Sequence, residues 1–154
     1  MRKYRLLIPM LLGLAALTGS ITAAMAADIQ VPAPSSGAAR VWFLRPAGAN
    51  SNALGAAPMV YANGTPVADI PANAAFYRDF APGAYRFTVQ PYGSPNKKAD
   101  TVRLAPGTQT YLEVQWIPTW EEGYASGRSS FFVVNMSPQI AQDWLPALNL
   151  IGQR

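Results

Sequence analysis

The chain has 154 residues, of which 12 are Lys or Arg, eight are Asp or Glu, and none is His or Cys. Without His and Cys, the chain has no Ser-His catalysis, His-based zinc motif, thiolate chemistry, disulfide or Fe–S cluster. Charged residues make up 13% of the chain and hydrophobic residues 50%, which is too apolar for a disordered protein. The 14 Pro and 12 Gly residues also disfavour a helical bundle.

The N-terminal segment 1–26 has the three parts of a secretory signal peptide. Cations lie within its first five residues, an apolar segment covers residues 6–17, and Ala24 and Ala26 supply the small side chains that a signal peptidase needs. We predict cleavage after Ala26 and a periplasmic or secreted protein. Neither this segment nor any later one reaches the ~20 apolar residues of a spanning helix, so we expect no transmembrane segment after cleavage. Without the signal, nine cations face eight acids, which removes the electrostatic basis for nucleic-acid binding.

Two parts follow the signal. Residues 27–39 are rich in Pro, Ser and Ala and predict a flexible or extended leader, with one short edge strand near residues 29–31 as an option. Residues 40–154 predict a single domain. Short strand patterns recur through it, at residues 41–44, 59–61, 67–70, 75–80, 85–90, 101–104, 110–116 and 131–134. The first and last of these are apolar at every position, so we expect both faces of those strands to be covered.

Turn sequences separate the predicted strands. Asn63-Gly64 predicts a type I′ hairpin, because both central residues of that turn need φ > 0. The prolines that flank this hairpin indicate an edge strand or a bulge. The phrase A-P-G at residues 81–83 predicts a type II turn with positive φ at Gly83, and the same phrase returns at residues 105–107.

A short helix is predicted after the last strand. Ser137 is expected to cap it with Pro138 at its first position, and residues 149–154 are expected to be its frayed end. Together these patterns predict a mainly β fold, an antiparallel β-sandwich or partly closed barrel of 7–8 short strands, with the C-terminal helix covering one sheet face. The predicted core contains Val41, Phe43, Phe87, Val89, Leu112, Val114, Phe132, Val134 and Trp144.

Four phrases carry a resemblance to known domains. They are A-R-V-W-F-L-R-P at 39–46, V-Y-A-N-G-T-P-V-A at 60–68, F-A-P-G-A-Y-R-F at 80–87 and L-A-P-G-T-Q-T-Y-L at 104–112. Together they resemble a family of small exported bacterial β-sandwich domains of unknown function, many of them lipoproteins, and they look like PEGA-type and carboxypeptidase-regulatory-like sandwiches. The resemblance implies the fold and brings no catalytic residue. This chain lacks the lipobox Cys that is common in that family.

The strongest candidate for a binding surface is an aromatic segment near the C-terminus. The segment 117–130 has no hydrophobic period, and we expect a loop of this length to project from one end of the sandwich and carry any binding surface. Aromatic rings beside carboxylates can anchor a protein partner or stack on sugar rings. The candidate binding residues are Trp120, Glu121, Glu122, Tyr124 and Arg128. The structural alternative is that Trp116 belongs to the core and Trp120 folds over the sheet edge.

No other group of residues indicates a chemistry. The opposed carboxylates of a glycosidase and the ligand spacing of a calcium loop are both missing from the sequence, so we predict no catalytic residue, no metal and no cofactor. The prediction is a non-enzymatic exported envelope protein that serves as a binding or structural module for an envelope protein or polysaccharide. The alternative is a glycan-binding module that uses the aromatic segment 116–128. An enzyme that uses only Asp, Glu, Ser, Tyr, Lys or Arg is a third hypothesis.

Overall fold

A computed structural model describes residues 31–48, 57–90, 101–119 and 128–152. Within these ranges the chain forms β-strands in two sheets, one α-helix and one 3-10 turn. The strands are β1 (Ala39–Arg45), β2 (Met59–Ala62), β3 (Thr65–Asp69), β4 (Ala74–Phe80), β5 (Gly83–Gln90), β6 (Thr101–Leu104), β7 (Gln109–Thr119), β8 (Arg128–Met136) and β9 (Asn149–Leu150). The helix α1 (Pro138–Trp144) and the 3-10 turn (Leu145–Ala147) lie between β8 and β9.

The two sheets pack face to face, which confirms the predicted mainly β sandwich, and neither sheet closes into a barrel. The five-stranded sheet has the order β8-β7-β1-β4-β9, and the four-stranded sheet has the order β3-β2-β5-β6. The predicted antiparallel arrangement holds for the other strand pairs, but the five-stranded sheet is mixed, because β1 pairs in parallel with β7 and β4 pairs in parallel with β9. Parallel neighbours need a long crossover connection, and passage of the chain through the second sheet provides it between β1 and β7.

The predicted hairpin is confirmed in detail. Asn63 and Gly64 have φ of 49° and 83°, as the two central residues of a type I′ turn require. β3 is an edge strand, and the pairing of β2 with β3 shifts register between Val60 and Tyr61, where a bulge was expected. The edge position explains why Pro66, which has no N–H to donate, is tolerated inside β3.

Both A-P-G phrases lie where the chain changes sheet, but only the second forms a turn of the predicted kind. Gly107 has a φ of 72°, and the N–H of Thr108 donates to the carbonyl oxygen of Ala105 over 3.3 Å. Gly83 has the predicted positive φ, at 155°, but it is already the first residue of β5 and its backbone is close to extended. The type II turn at residues 81–83 is therefore wrong, although the change of direction is present.

The main core lies between the two sheets. The six core residues predicted on β1, β5 and β7 are all buried there: Val41, Phe43, Phe87, Val89, Leu112 and Val114. In β8 the predicted phase is wrong. Phe131 is 1% exposed and Val133 packs against the main core, whereas Phe132 and Val134 are half-buried on the opposite face of the strand. Because β8 is apolar on both faces, its own sequence does not set the phase, and pairing with β7 does.

A second apolar cluster lies on the outer face of the five-stranded sheet, under α1. Its buried members are Trp42, Leu44, Ala75, Tyr111, Ala141 and Leu148. The predicted helix and its role as a cover are confirmed: Ser137 is the N-cap, with the Ile140 N–H donating to its hydroxyl, and Pro138 follows in the first turn. Trp144, expected in the core, is half-buried against this second cluster. No helix in the described part of the chain is long and apolar enough to cross a membrane.

The C-terminal residues continue the sheet, so the expected frayed end is wrong over residues 149–152. Leu150 pairs with Ala75 of β4, and the Ile151 N–H donates to the carbonyl oxygen of Ala75 over 2.9 Å. Leu148 and the apolar residues after it dock on the sheet because they gain burial there. A strand of two residues is too short to show a period in the sequence.

Two arginines lie inside the buried strand β1, one at each end. Arg45 is 2% exposed, its Nη1 donates to the carbonyl oxygen of Ile70 over 2.9 Å, and its guanidinium lies 4.9 Å from the ring centre of Phe131. Burial lowers the pKa of Arg45 from its usual value. The sequence pattern placed the end of the first strand before Arg45. In the structure Arg45 is the last residue of β1, and it binds the carbonyl oxygen of Ile70, in the segment between β3 and β4.

Phe87→Ala is expected to lower the free energy of unfolding by about 3–5 kcal/mol, through lost transfer energy and the cavity left behind. Phe87 is 2% exposed, and its ring centre lies 5.4 Å from that of Phe43 and 5.5 Å from that of Phe80. Thr88→Ala, at the next position and on the other face, is the control and should change stability by less than about 1 kcal/mol. Chemical denaturation measures both variants. A larger effect at Thr88 than at Phe87 would mean that the register of β5 is wrong.

Candidate functional site

The β7–β8 pair continues past its neighbour in the five-stranded sheet. β7 pairs with β1 only as far as Glu113, which lies opposite Leu44. Pairing between β7 and β8 continues to the last residue of β7, through residues 114–119 and 128–133. We name this part the β7–β8 ribbon; six residues of extended strand span about 20 Å. The ribbon ends where residues 120–127 join its two strands.

The ribbon corrects the boundaries of the predicted loop. Residues 117–119 and 128–130 were expected to be aperiodic loop, but they belong to paired strands. Pro118 and two serines hide the strand pattern in the sequence. Because β1 does not pair with β7 beyond Glu113, that edge of the ribbon is unpaired, and a proline, which has no N–H, is tolerated in it. Arg128 is the first residue of β8. The other four candidate binding residues, Trp120, Glu121, Glu122 and Tyr124, lie outside the described residues.

Trp116 lies at the base of the ribbon and packs against the core, in line with the Trp116 part of the structural alternative, whereas the Trp120 part lies outside the described residues. It packs against the main core and lies opposite Phe131 in the pairing of β7 with β8. Its buried indole Nε1 has no hydrogen-bond partner among the described residues. The ribbon is therefore joined to the sandwich through two packed aromatic rings.

An open cleft of about 430 Å³ lies at the other end of the sandwich. It is lined by the β2–β3 hairpin, by residues 78–80 at the end of β4 and by Tyr85 of β5. We name it the β3–β4 cleft. Because β4 runs antiparallel to β1 and β7 runs parallel to it, the end of β4 and the end of β7 point in opposite directions. The cleft and the ribbon tip are therefore at opposite ends of the molecule.

An ion pair borders this cleft. Arg40 Nε and Nη2 donate to the two carboxylate oxygens of Asp79, over 2.7 Å and 3.0 Å, in the bidentate geometry that makes such pairs strong. The two side chains are 4% and 20% exposed. The Arg40 guanidinium also lies 4.0 Å from the ring centre of Tyr77. Packing on Tyr77 therefore also holds the Arg40 side of the pair.

The same ion pair holds the N-terminal leader against the sheet. The Arg40 guanidinium donates to the carbonyl oxygens of Pro32 and Ala33, and the backbone N–H and hydroxyl of Ser35 donate to Asp79 over 3.0 Å and 3.1 Å. Residues 32–35 of the predicted flexible or extended leader (27–39) are therefore held against the domain by hydrogen bonds, and residues 27–30 lie outside the described residues. Ala39 is the first residue of β1, and of the optional strand at 29–31 only residue 31 is described, outside any strand.

Hydrogen bonds from Arg40 lower the pKa of Asp79 from 3.8 to about 2. Smaller contributions from Ser35 act in the same direction, and burial acts against them. The Asp79 carboxylate is therefore ionised across the neutral and mildly acidic range, which suits an ion pair. A general acid near neutral pH requires the opposite shift.

The next residue along β4, Arg78, is held in a different way. Its Nη1 donates to the carbonyl oxygens of Tyr77 and Gly152 over 2.8 Å and 3.0 Å. Its guanidinium lies 5.4 Å from the ring centre of Phe76. Among the described residues, no carboxylate lies within 4.0 Å of Arg78. Arg78 is half-buried and lines the β3–β4 cleft.

Asp79→Asn is expected to destabilise the protein at neutral pH and to lose this effect in acid. The folded-state pKa of Asp79 is lowered to about 2, so its stabilising contribution is complete above the unfolded pKa near 4 and disappears as the pH falls through about 2. Melting temperatures of wild type and variant between pH 7 and pH 2 measure this. The difference between the two proteins should shrink below about pH 4. A difference that is constant over the whole range would show that the ion pair is not its source.

No family model matches the chain, and no curated protein matches it. Any role for the ribbon tip or the cleft therefore rests on the residues that form them.

Proposed function

We propose that this protein is a non-enzymatic, exported binding or structural module of the cell envelope, and that it binds through the end of the β7–β8 ribbon. The observation that supports this most directly is the ribbon. Its strands stay paired as far as Thr119 and Arg128, so the chain that joins them, residues 120–127, starts and ends on a rigid scaffold. Loops held by a rigid scaffold are common positions for binding residues.

The base of the ribbon supports a binding role on energetic grounds. Phe131 is buried in the core and Trp116 packs against it from the opposite strand, so the base of the ribbon need not be ordered when a partner binds. Ordering side chains and loops is one of the main free-energy costs of association. A ribbon that is already fixed at its base lowers that cost.

The residue types at the tip favour a protein partner with an apolar pocket. Trp120 and Tyr124 can bury large ring areas, and such rings dominate the energetics of many interfaces. Glu121 and Glu122 beside them complement cations at the rim of a pocket, and Arg128 complements an acid. Stacking of the same two rings on a sugar gives the alternative, a glycan-binding module.

The chemistry of the chain supports a non-catalytic role. It has no His and no Cys, the side chains that most often act as base and thiolate nucleophile. Two carboxylates that could act as acid or base already have partners. Asp79 is ionised and paired with Arg40, and Glu113 accepts a hydrogen bond from Gln115 Nε2 over 2.8 Å. The resemblance to small exported sandwich domains and the signal sequence over residues 1–26 support a periplasmic or secreted location.

Expression of the complete chain in a bacterium is expected to give an exported protein that begins at Ala27. Ala24 and Ala26 fit the small pockets of a signal peptidase, and a bulky cation does not. Intact-mass measurement and N-terminal sequencing of the exported fraction test this. Ala26→Arg is the control and should accumulate with residues 1–26 attached. A wild-type product that keeps Met1, or stays in the cytoplasm, would contradict the predicted export.

The binding proposal is tested by the double variant Trp120→Ala/Tyr124→Ala, with the exported wild-type protein as reference. Each is immobilised and incubated with solubilised envelope proteins and, separately, with sedimented cell-wall polysaccharide. Loss of a central aromatic anchor costs about 2 kcal/mol or more, so partner recovery should fall by at least about tenfold. Ile140→Ala, which removes an exposed side chain of α1 at 47% exposure, is the matched control and should recover the partner as wild type does.

The melting temperature separates the possible outcomes. Equal recovery by wild type and double variant, at equal melting temperatures, would reject the ribbon tip as the binding surface. A large fall in melting temperature would show that the two rings belong to the core and would reject it as well. Recovery that depends on both rings supports the proposal, and retention on polysaccharide rather than protein would select the glycan-binding alternative.

A further inference from the structure

We propose that the β3–β4 cleft is a second binding site, for a carboxylate attached to an apolar group, and that Arg78 is the residue that binds the carboxylate. The cleft is formed by the β2–β3 hairpin and the ends of β4 and β5, away from the ribbon. This site does not depend on the binding role of the ribbon tip. Its volume of about 430 Å³ falls in the range of about 300–1,000 Å³ that is usual for small-molecule sites.

The guanidinium of Arg78 is held in place and retains free donors. Two backbone carbonyls accept from Nη1, and the ring of Phe76 lies beneath the group. A guanidinium has five N–H groups in a fixed fork, so Nε and Nη2 still have N–H groups to offer. A fork that is already oriented loses little freedom when it binds a planar carboxylate.

The carboxylate that follows Arg78 in the sequence, that of Asp79, is paired with another arginine. Asp79 contributes to the cleft wall, but both of its oxygens accept hydrogen bonds from Arg40, and one also accepts from Ser35. Successive residues of a strand point to opposite faces, which separates the Asp79 and Arg78 side chains. The cleft therefore contains a cation with no anionic partner among the described residues.

The walls of the cleft define the rest of the ligand. Phe80 and Tyr85 meet edge to face with their ring centres 5.2 Å apart, and Val67 adds an aliphatic surface. Asn63 and Thr65 add polar groups on the hairpin side of the cleft. The Asn63 Oδ1 accepts a hydrogen bond from the backbone N–H of Arg86 over 2.8 Å, which leaves the amide N–H groups of Asn63 as its remaining donors. An apolar body next to Phe80 and Tyr85, with its carboxylate on Arg78, satisfies both surfaces.

Two sources can supply this chemistry: a free small carboxylic acid, or the C-terminal carboxylate of a peptide with an apolar last residue. β9 pairs with β4 only at Ala74 and Ala75; beyond them the Tyr77 carbonyl oxygen accepts from Arg78 Nη1, and among the described residues no strand pairs with that edge of β4. A peptide can add to an open strand edge through main-chain hydrogen bonds and place its end in an adjoining pocket. The two sources are separated by the choice of probes.

The test uses the complete exported protein and two matched pairs of probes, with binding followed by NMR titration. One pair is 4-phenylbutyrate and 4-phenylbutyramide, and the other is N-acetyl-Ala-Phe with a free carboxylate and with a C-terminal amide. We expect at least one acid to bind about tenfold or more tightly than its amide. Arg78→Gln should reduce this ratio to about twofold or less, whereas Arg103→Gln, which removes an exposed cation from β6, should leave it unchanged.

A second variant covers the case in which Arg78→Gln disturbs the contact with Gly152. Thr65→Glu introduces a negative charge on the exposed hairpin wall and leaves the partners of Arg78 in place. It should weaken the acids more than the amides. Absence of binding by all four probes at about 5 mM, equal binding of acid and amide, or an acid preference that both variants retain would each overturn the proposal. Trp120→Ala/Tyr124→Ala should bind the acids as wild type does, so failure of one site is distinguishable from failure of the other.

Discussion

β1 is buried on both faces and along both edges, and this burial determines where the other layers of the molecule must lie. All seven of its residues are buried, one face lies in the main core and the other lies under α1. β4 and β7 pair with its two edges, which satisfies backbone groups that water cannot reach. The second sheet and the helix are the two layers that such a strand requires, so the architecture follows from placing this one segment at the centre.

The charges in β1 show how a buried strand can also make connections at its ends. Arg40 reaches the leader and Asp79 at one end, and Arg45 reaches the carbonyl of Ile70 at the other. A buried cation is tolerated only when its donors are satisfied, and these arginines are therefore structural fasteners. Arg78 differs because it lines a cleft and, among the described residues, has hydrogen bonds only from Nη1, and that difference distinguishes a candidate binding residue from a structural arginine.

Sequence predicted the features that depend on local chemistry. Asn63-Gly64 and Ser137-Pro138 each determine their own backbone geometry, so the hairpin and the helix start were correct. The phase of β8, the docking of β9 and the full length of the ribbon depend on pairing between distant segments, which periodicity does not show. The cleft was missed for the same reason, because it is assembled from the hairpin, β4 and β5. One signal was present: a cation, Arg78, lies between two phenylalanines on one face of a strand pattern.

The position of β1 also determines the order in which the molecule can form. Its partners arrive late: Asp79 lies 39 residues after Arg40, and the β7 partner Gln109 is further still along the chain. Closing loops over such distances costs entropy before the burial of apolar surface lowers the free energy. Domains dominated by such long-range pairing typically fold in milliseconds to seconds. Until β7 arrives, a chain emerging N-terminus first carries a strand that is apolar on both faces with an open edge, which is the kind of segment that aggregates. During synthesis, β1 is therefore least protected from aggregation in the interval between the appearance of β1 and that of β7.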